Sequence, residues 1–146
     1  MNSLQINKIL KHYLRQYFRG VYASDAIPPL SAPYPYALVV NTDIAGEPGE
    51  HWQAIWILSD IHAEFFDSFG NEPKGNIKLF MHTFKKIEKN VKKLQKNFEI
   101  SCGPYVRYFL INRFMGNSLQ KIVNNLHKQI IPDVFVKFFL HNLLKL

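Results

Sequence analysis

Four residues of types that carry out acyl-transfer chemistry stand along the chain in the order His51, Asp67, Gln95 and Cys102. A thiolate is a strong nucleophile, an imidazole moves protons near neutral pH, and a carboxylate can fix the imidazole's tautomer. A carboxamide N–H can donate to a developing oxyanion. Cys102 is the only cysteine, which excludes an intramolecular disulfide and makes a cysteine-based metal site improbable. A lone cysteine is more often a small buried hydrophobe than a nucleophile, so its neighbours decide. His51 and Asp67 have bland readings too, as a strand-edge histidine and a turn-capping aspartate, and Gln95 could be an exposed strand residue.

The elements that must position these residues are legible as an α+β pattern. Residues 4–18 carry apolar side chains at helical spacing, with Ser3 as N-cap and Gly20 as the stop. Pro28, Pro29, Pro33 and Pro35 mark an extended loop. Strands are expected over 37–40, 52–58 and 63–66, with Ser59 and Asp60 turning between the last two. His51 opens one strand of that hairpin and Asp67 closes the other, which brings them side by side. A helix is expected over 76–89, a strand over 91–95, and helices over 105–115, 117–129 and 133–145. Pro132 separates the last two.

Cys102 then sits at the start of a helix, where unpaired N–H groups and the positive dipole end favour a thiolate. Pro104 fits the first turn of that helix, because its missing N–H costs nothing there. Gly103 removes bulk beside the sulfur, and Trp52 reads as a wall behind His51; both are candidates for the substrate wall. In this scheme His51 is the base, Asp67 its orienter, and the Gln95 side chain and the Cys102 backbone N–H are the oxyanion donors. His12, His62, His82, His127 and His141 have no ligand-like spacing, so no metal is expected, and the chemistry requires no cofactor.

Taken together, Asn41-Thr42 through Gly49-Glu50-His51-Trp52, Phe66-Asp67-Ser68-Phe69-Gly70, and Gln95 seven residues before Cys102-Gly103 resemble adenain, the adenovirus maturation protease. They resemble still more the adenain-type proteases of Maverick/Polinton elements and adintoviruses, as do Gly20–Asp25 and Asp133–Val136. The resemblance covers most of the chain. It implies a papain-related core of the adenain and SUMO-protease type, with a central mixed sheet flanked by helices. It also implies cleavage of capsid or precursor polypeptides at small-residue sites, at a virion assembly site or in a host nucleus. Adenain is activated by a disulfide-linked peptide and by DNA. Here no second thiol exists to tether a peptide, so an activating peptide would bind non-covalently.

The remaining properties narrow the class. With 146 residues, 47% hydrophobic and 14% aromatic, the chain has the material for one packed domain over 1–146. No apolar run approaches the ~20 residues of a membrane span, and the start lacks a secretion signal, so an intracellular monomer is expected. The net charge is +7, with Lys85, Lys86, Lys89, Lys92, Lys93 and Lys96 clustered against Glu88 alone. Such a cluster is usually a solvated face; as a functional one it would contact phosphates. Two other readings stand beside the protease: a ubiquitin-like-protein isopeptidase with the same catalytic order, and an idle DNA- or capsid-binding relic.

Overall fold

A computed structural model describes residues 2–43, 46, 51–95 and 102–144. Helix α1 (Ser3–Leu14) opens on Asn2 rather than Ser3: the Asn2 side chain accepts from the Gln5 N–H while Gln5 reaches back to the Asn2 N–H. It ends earlier than its apolar spacing suggests, with Arg15 at a φ of 55° and a short 3-10 turn over Arg15–Tyr17. The chain then enters strand β1 (Phe18–Ala23), where the sequence offers no strand and the expected helix reaches only to Phe18. Gly20 lies inside that strand and does not stop a helix.

Strands β2 (Tyr36–Asn41), β3 (Trp52–Ile57), β4 (His62–Phe66) and β5 (Lys86–Lys89) follow. They form one sheet in sequence order, with β1–β2 and β4–β5 parallel and the inner pairs antiparallel. The inner strands are buried on both faces, which is why 36–41 and 52–57 read as near-continuous apolar runs. One face carries Ala37, Val39, Ala54, Trp56 and Phe66. It packs on α1, α3 (Gly103–Phe114), α4 (Leu119–His127) and α5 (Pro132–Leu144). The other carries Leu38, Ile55, Ile57 and Phe65, covered by α2 (Gly75–Met81) and by Ile27, Leu30 and Tyr34 of the proline-rich loop.

Two sequence expectations fail in the stretch between β4 and α3. The helix placed over 76–89 stops at Met81, and Lys86–Lys89 pairs with β4 instead. Ile77, Phe80, Phe84 and Ile87 mimic one helical stripe only because two elements bury them on the same face of the sheet. The strand placed over 91–95 is irregular: Leu94 and Gln95 both donate their N–H to the Ser68 carbonyl rather than to a ladder. Pro132, expected as a break, is the first residue of α5, where its missing N–H is harmless.

Helix α3 is held to the sheet at two points that set its axis. Phe109 stacks on Phe66 with ring centroids 4.6 Å apart. Arg113 makes a forked pair with Glu64 of β4 at 2.7 and 3.0 Å. Its N-terminus therefore arrives over the start of β3 and the end of β4.

Candidate active site

His51 immediately precedes β3, and its carbonyl accepts the Thr42 N–H at 3.0 Å. Asp67 immediately follows β4. The two strands are paired from Ala54 opposite Phe66 to Ile57 opposite Ala63, so the hairpin register alone brings both side chains to one end of the sheet. His51 Nε2 lies 2.8 Å from Asp67 Oδ1. The Cys102 side chain is a second hydrogen-bond partner of the imidazole. The Trp52 N–H donates to Cys102 Sγ at 2.9 Å, and Cys102 caps the N-terminus of α3. Cys102 thus stands at the start of a helix beside His51, and Asp67 bonds the same imidazole.

Asp67 is fully buried, and both of its oxygens are hydrogen-bonded. Oδ1 takes His51 and the Phe69 N–H at 2.7 Å, while Oδ2 takes the Gln53 side-chain N–H at 2.7 Å. A carboxylate so held has one orientation toward the imidazole. Its backbone is fixed as well. Asn90, just past β5, accepts the Asp67 N–H at 3.0 Å and donates to the Asp67 carbonyl at 2.6 Å, so a side chain continues the β4–β5 pairing by one step.

Burial alone would pull the His51 pKa down; hydrogen bonds to Asp67 and Cys102, and their charges, outweigh it and push the value up to about 9. The imidazole is thus charged at neutral pH, the state in which it can pair with a thiolate. Phe69 packs on the ring with centroids 5.1 Å apart, limiting water on that side.

Gln95 is 1% exposed, and its Oε1 accepts the Ser68 hydroxyl at 2.6 Å. It therefore hangs from the residue that follows Asp67. The Trp52 ring is half-buried against the core, while Gly103 is buried as the first residue of α3. Gln53 and Asn90 escaped the sequence reading, and Ser68 and Phe69 entered it only as part of the Phe66–Gly70 motif, with no role. Gln53 carried a usable signal, a polar residue inside the apolar run of β3; Asn90, among lysines, carried none.

Lys85, Lys86 and Lys89 do not lie on one helix, as the expected helix over 76–89 implied, because 86–89 is a strand. Lys85, Lys86, Lys92 and Lys93 are exposed. Lys89 pairs with Glu72, and Lys86 lies 4.0 Å from Glu88. Lys93 reaches over the Phe69 ring at 5.5 Å. Lys96 lies outside the described residues, as do Gly49 and Glu50 of the sequence motif. Among the described residues no cluster of three or more ligand-type side chains could hold a metal, and no helix is long and apolar enough to cross a membrane.

The chain is 29% identical over 119 residues to the cysteine protease of African swine fever virus, Tick/Malawi isolate. It is 31% identical over 119 residues to a protein of the Warthog/Namibia isolate named SUMO-1 cysteine protease. The chain is similar to viral cysteine proteases. Each match covers 73% of this chain and 42% of the relative, so the chain spans about two fifths of these relatives' length. The fold matches the crystal structure of the African swine fever virus protease with a TM-score of 0.63 at 18% identity. That match covers 94% of this chain and 64% of the viral protease chain, and it bears out the expected α+β core with a mixed sheet flanked by helices. No protein-family model matches.

Proposed function

We propose that this chain is a cysteine endopeptidase in which Cys102 is the nucleophile, His51 the general base and acid, and Asp67 the orienter. One observation carries the reading: His51 has two hydrogen-bond partners, the Cys102 side chain at a helix N-terminus and the buried Asp67 carboxylate. A structural histidine needs neither partner to be a nucleophile, and a buried structural cysteine needs no imidazole. The similarity to viral cysteine proteases supports the same class.

In this mechanism the Cys102 thiolate attacks the scissile carbonyl carbon and forms a C–S bond as the carbonyl electrons move to oxygen. The Cys102 backbone N–H and the Gln95 carboxamide donate to that oxyanion, each contributing roughly 3–4 kcal/mol to the transition state. His51 gives its proton to the leaving amine as the C–N bond breaks, leaving a thioester. His51, now neutral, takes a proton from the attacking water, and collapse of the second adduct releases the acid and restores the ion pair. Trp52 and Gly103 would flank the bound backbone.

The substrates we infer are capsid or precursor polypeptides of a virus or transposon, within the cell and at its assembly site. The adenain-like order of motifs supports this, as does the viral origin of the relatives. Kinship to Maverick/Polinton and adintovirus enzymes rests on the sequence motifs. A non-covalent activator, DNA or a peptide, is part of the proposal, with DNA addressed to Lys85, Lys92 and Lys93. The name of the Warthog/Namibia relative gives the isopeptidase reading its footing.

The test uses two probes, a peptide with a small residue before glycine bearing a thiol-reactive warhead, and a ubiquitin-like protein with the same warhead. Labelling of Cys102 by the peptide probe, lost in Cys102→Ala and in His51→Ala, is the expected result. Labelling only by the ubiquitin-like probe would move the assignment to an isopeptidase. No labelling by either would leave a binding relic.

A further inference from the structure

The turn that carries Asp67 also grips Gln95, and one residue makes both grips. Ser68 is fully buried. Its carbonyl accepts the N–H of Leu94 at 2.8 Å and of Gln95 at 2.9 Å, and its hydroxyl donates to Gln95 Oε1 at 2.6 Å. The segment lies tight against the turn. Gly70 has a φ of 72°, and a Cβ there would meet the Val91 carbonyl oxygen at 2.8 Å.

A carboxamide has an accepting end and a donating end that differ little in shape. With its oxygen on the Ser68 hydroxyl, Gln95 turns its NH2 away from Ser68. In the reverse orientation the NH2 would donate to the Ser68 oxygen, and the carbonyl oxygen would point outward, where it has no proton to give an oxyanion. Only the first orientation can stabilise an oxyanion. We propose that Ser68 is a positioning residue that sets the carboxamide of Gln95 for oxyanion binding, so that a single turn fixes both the orienter of His51 and the oxyanion donor. This rests on the assignment of Gln95 to the oxyanion hole.

The experiment is a double-mutant cycle of Ser68→Ala and Gln95→Ala, read in kcat, KM and the inhibition constant of a peptide aldehyde that forms a tetrahedral adduct. Gln95→Ala is expected to lower kcat about a hundredfold, as loss of one oxyanion donor does. Ser68→Ala should lower kcat about tenfold with KM within about twofold, and weaken the aldehyde by the same factor as kcat/KM. In the Gln95→Ala background, Ser68→Ala should change nothing further. Ser68→Thr, which keeps the donor, should recover most of the loss, and the alkaline limb of the pH profile should stay where it is in the parent. If Ser68→Ala fails to fold, Ser68→Cys keeps the volume with a weaker donor and takes its place in the cycle. Losses that multiply in the double variant, or a loss confined to KM, would overturn the role of Ser68. An impaired Gln95→Ala beside a silent Ser68→Ala overturns it too, and leaves the oxyanion assignment standing. Parental kcat in Gln95→Ala overturns that assignment and this proposal with it.

Discussion

His51 sits between opposing influences, and their balance sets a measurable pH profile. Burial disfavours the imidazolium, while Asp67 and Cys102 favour it strongly enough to hold the pKa at about 9. In the proposed mechanism the protonated ring serves the leaving amine, so kcat/KM should fall as pH rises through about 9. Asp67→Asn keeps the shape but removes the charge and leaves burial in place. Its alkaline limb should therefore move down by about one unit or more. The same shift affects stability. A folded-state pKa above the unfolded 6.5 adds stability that is fully present below pH 6.5 and is lost as pH rises toward 9. Thermal unfolding across that window should show the loss in the parent and less of it in Asp67→Asn. An alkaline limb that is identical in both proteins would detach Asp67 from His51. At this scale the candidate residues were legible, because His, Asp and Cys in hairpin and helix-start positions have few bland uses in combination. Gln53, Ser68 and Asn90 were not. Each acts through a contact with a distant segment, and a single polar residue in a strand or loop gives no sign of its partner.

Among the elements, the hairpin β3–β4 and the helix α3 matter most, and Glu64 with Arg113 ties them together. Glu64 is 4% exposed, so its carboxylate depends on the forked guanidinium. Removing one partner leaves a buried charge: Arg113→Met should cost about 3–5 kcal/mol in denaturant unfolding. Replacing both, with Glu64→Leu added, should return stability to within about 1–2 kcal/mol of the parent, because no bare charge then remains. A double variant as unstable as the single one would show that the Arg113 side chain matters for packing over Trp56, not for its charge. The hairpin was readable from two apolar runs with a polar turn, and α3 from a long apolar stretch after a proline. Strands β1 and β5 were not. Phe18–Ala23 carries an internal glycine that reads as a helix stop, and Lys86–Lys89 has one apolar residue in four; both become strands only because β2 and β4 offer free edges.

For the molecule as a whole, the net charge of +7 is the property that reaches beyond the site. The expected basic patch is smaller than the lysine count suggested, since Lys89 is neutralised by Glu72 and Lys86 is near Glu88. Lys85, Lys92 and Lys93 have no acidic partner among the described residues. Lys93 lies over Phe69, which packs on His51, so a polyanion held there would end close to the reacting groups. With three phosphates neutralised, log affinity should fall with log salt at a slope of about −2.7, a loss of about fortyfold between 50 and 200 mM. Duplex DNA should therefore raise peptide cleavage at low salt and do little at 200 mM, without preference for sequence. Substituting Lys85, Lys92 and Lys93 together by Glu should abolish both the stimulation and the salt slope, while cleavage without DNA stays near the parental rate. Cleavage with and without duplex across a salt series, in parent and variant, measures all three. A steeper slope than three contacts allow would bring in cations outside this patch. An equal DNA response in parent and variant, or none in either, would make these lysines an ordinary solvated surface that keeps a basic protein in solution.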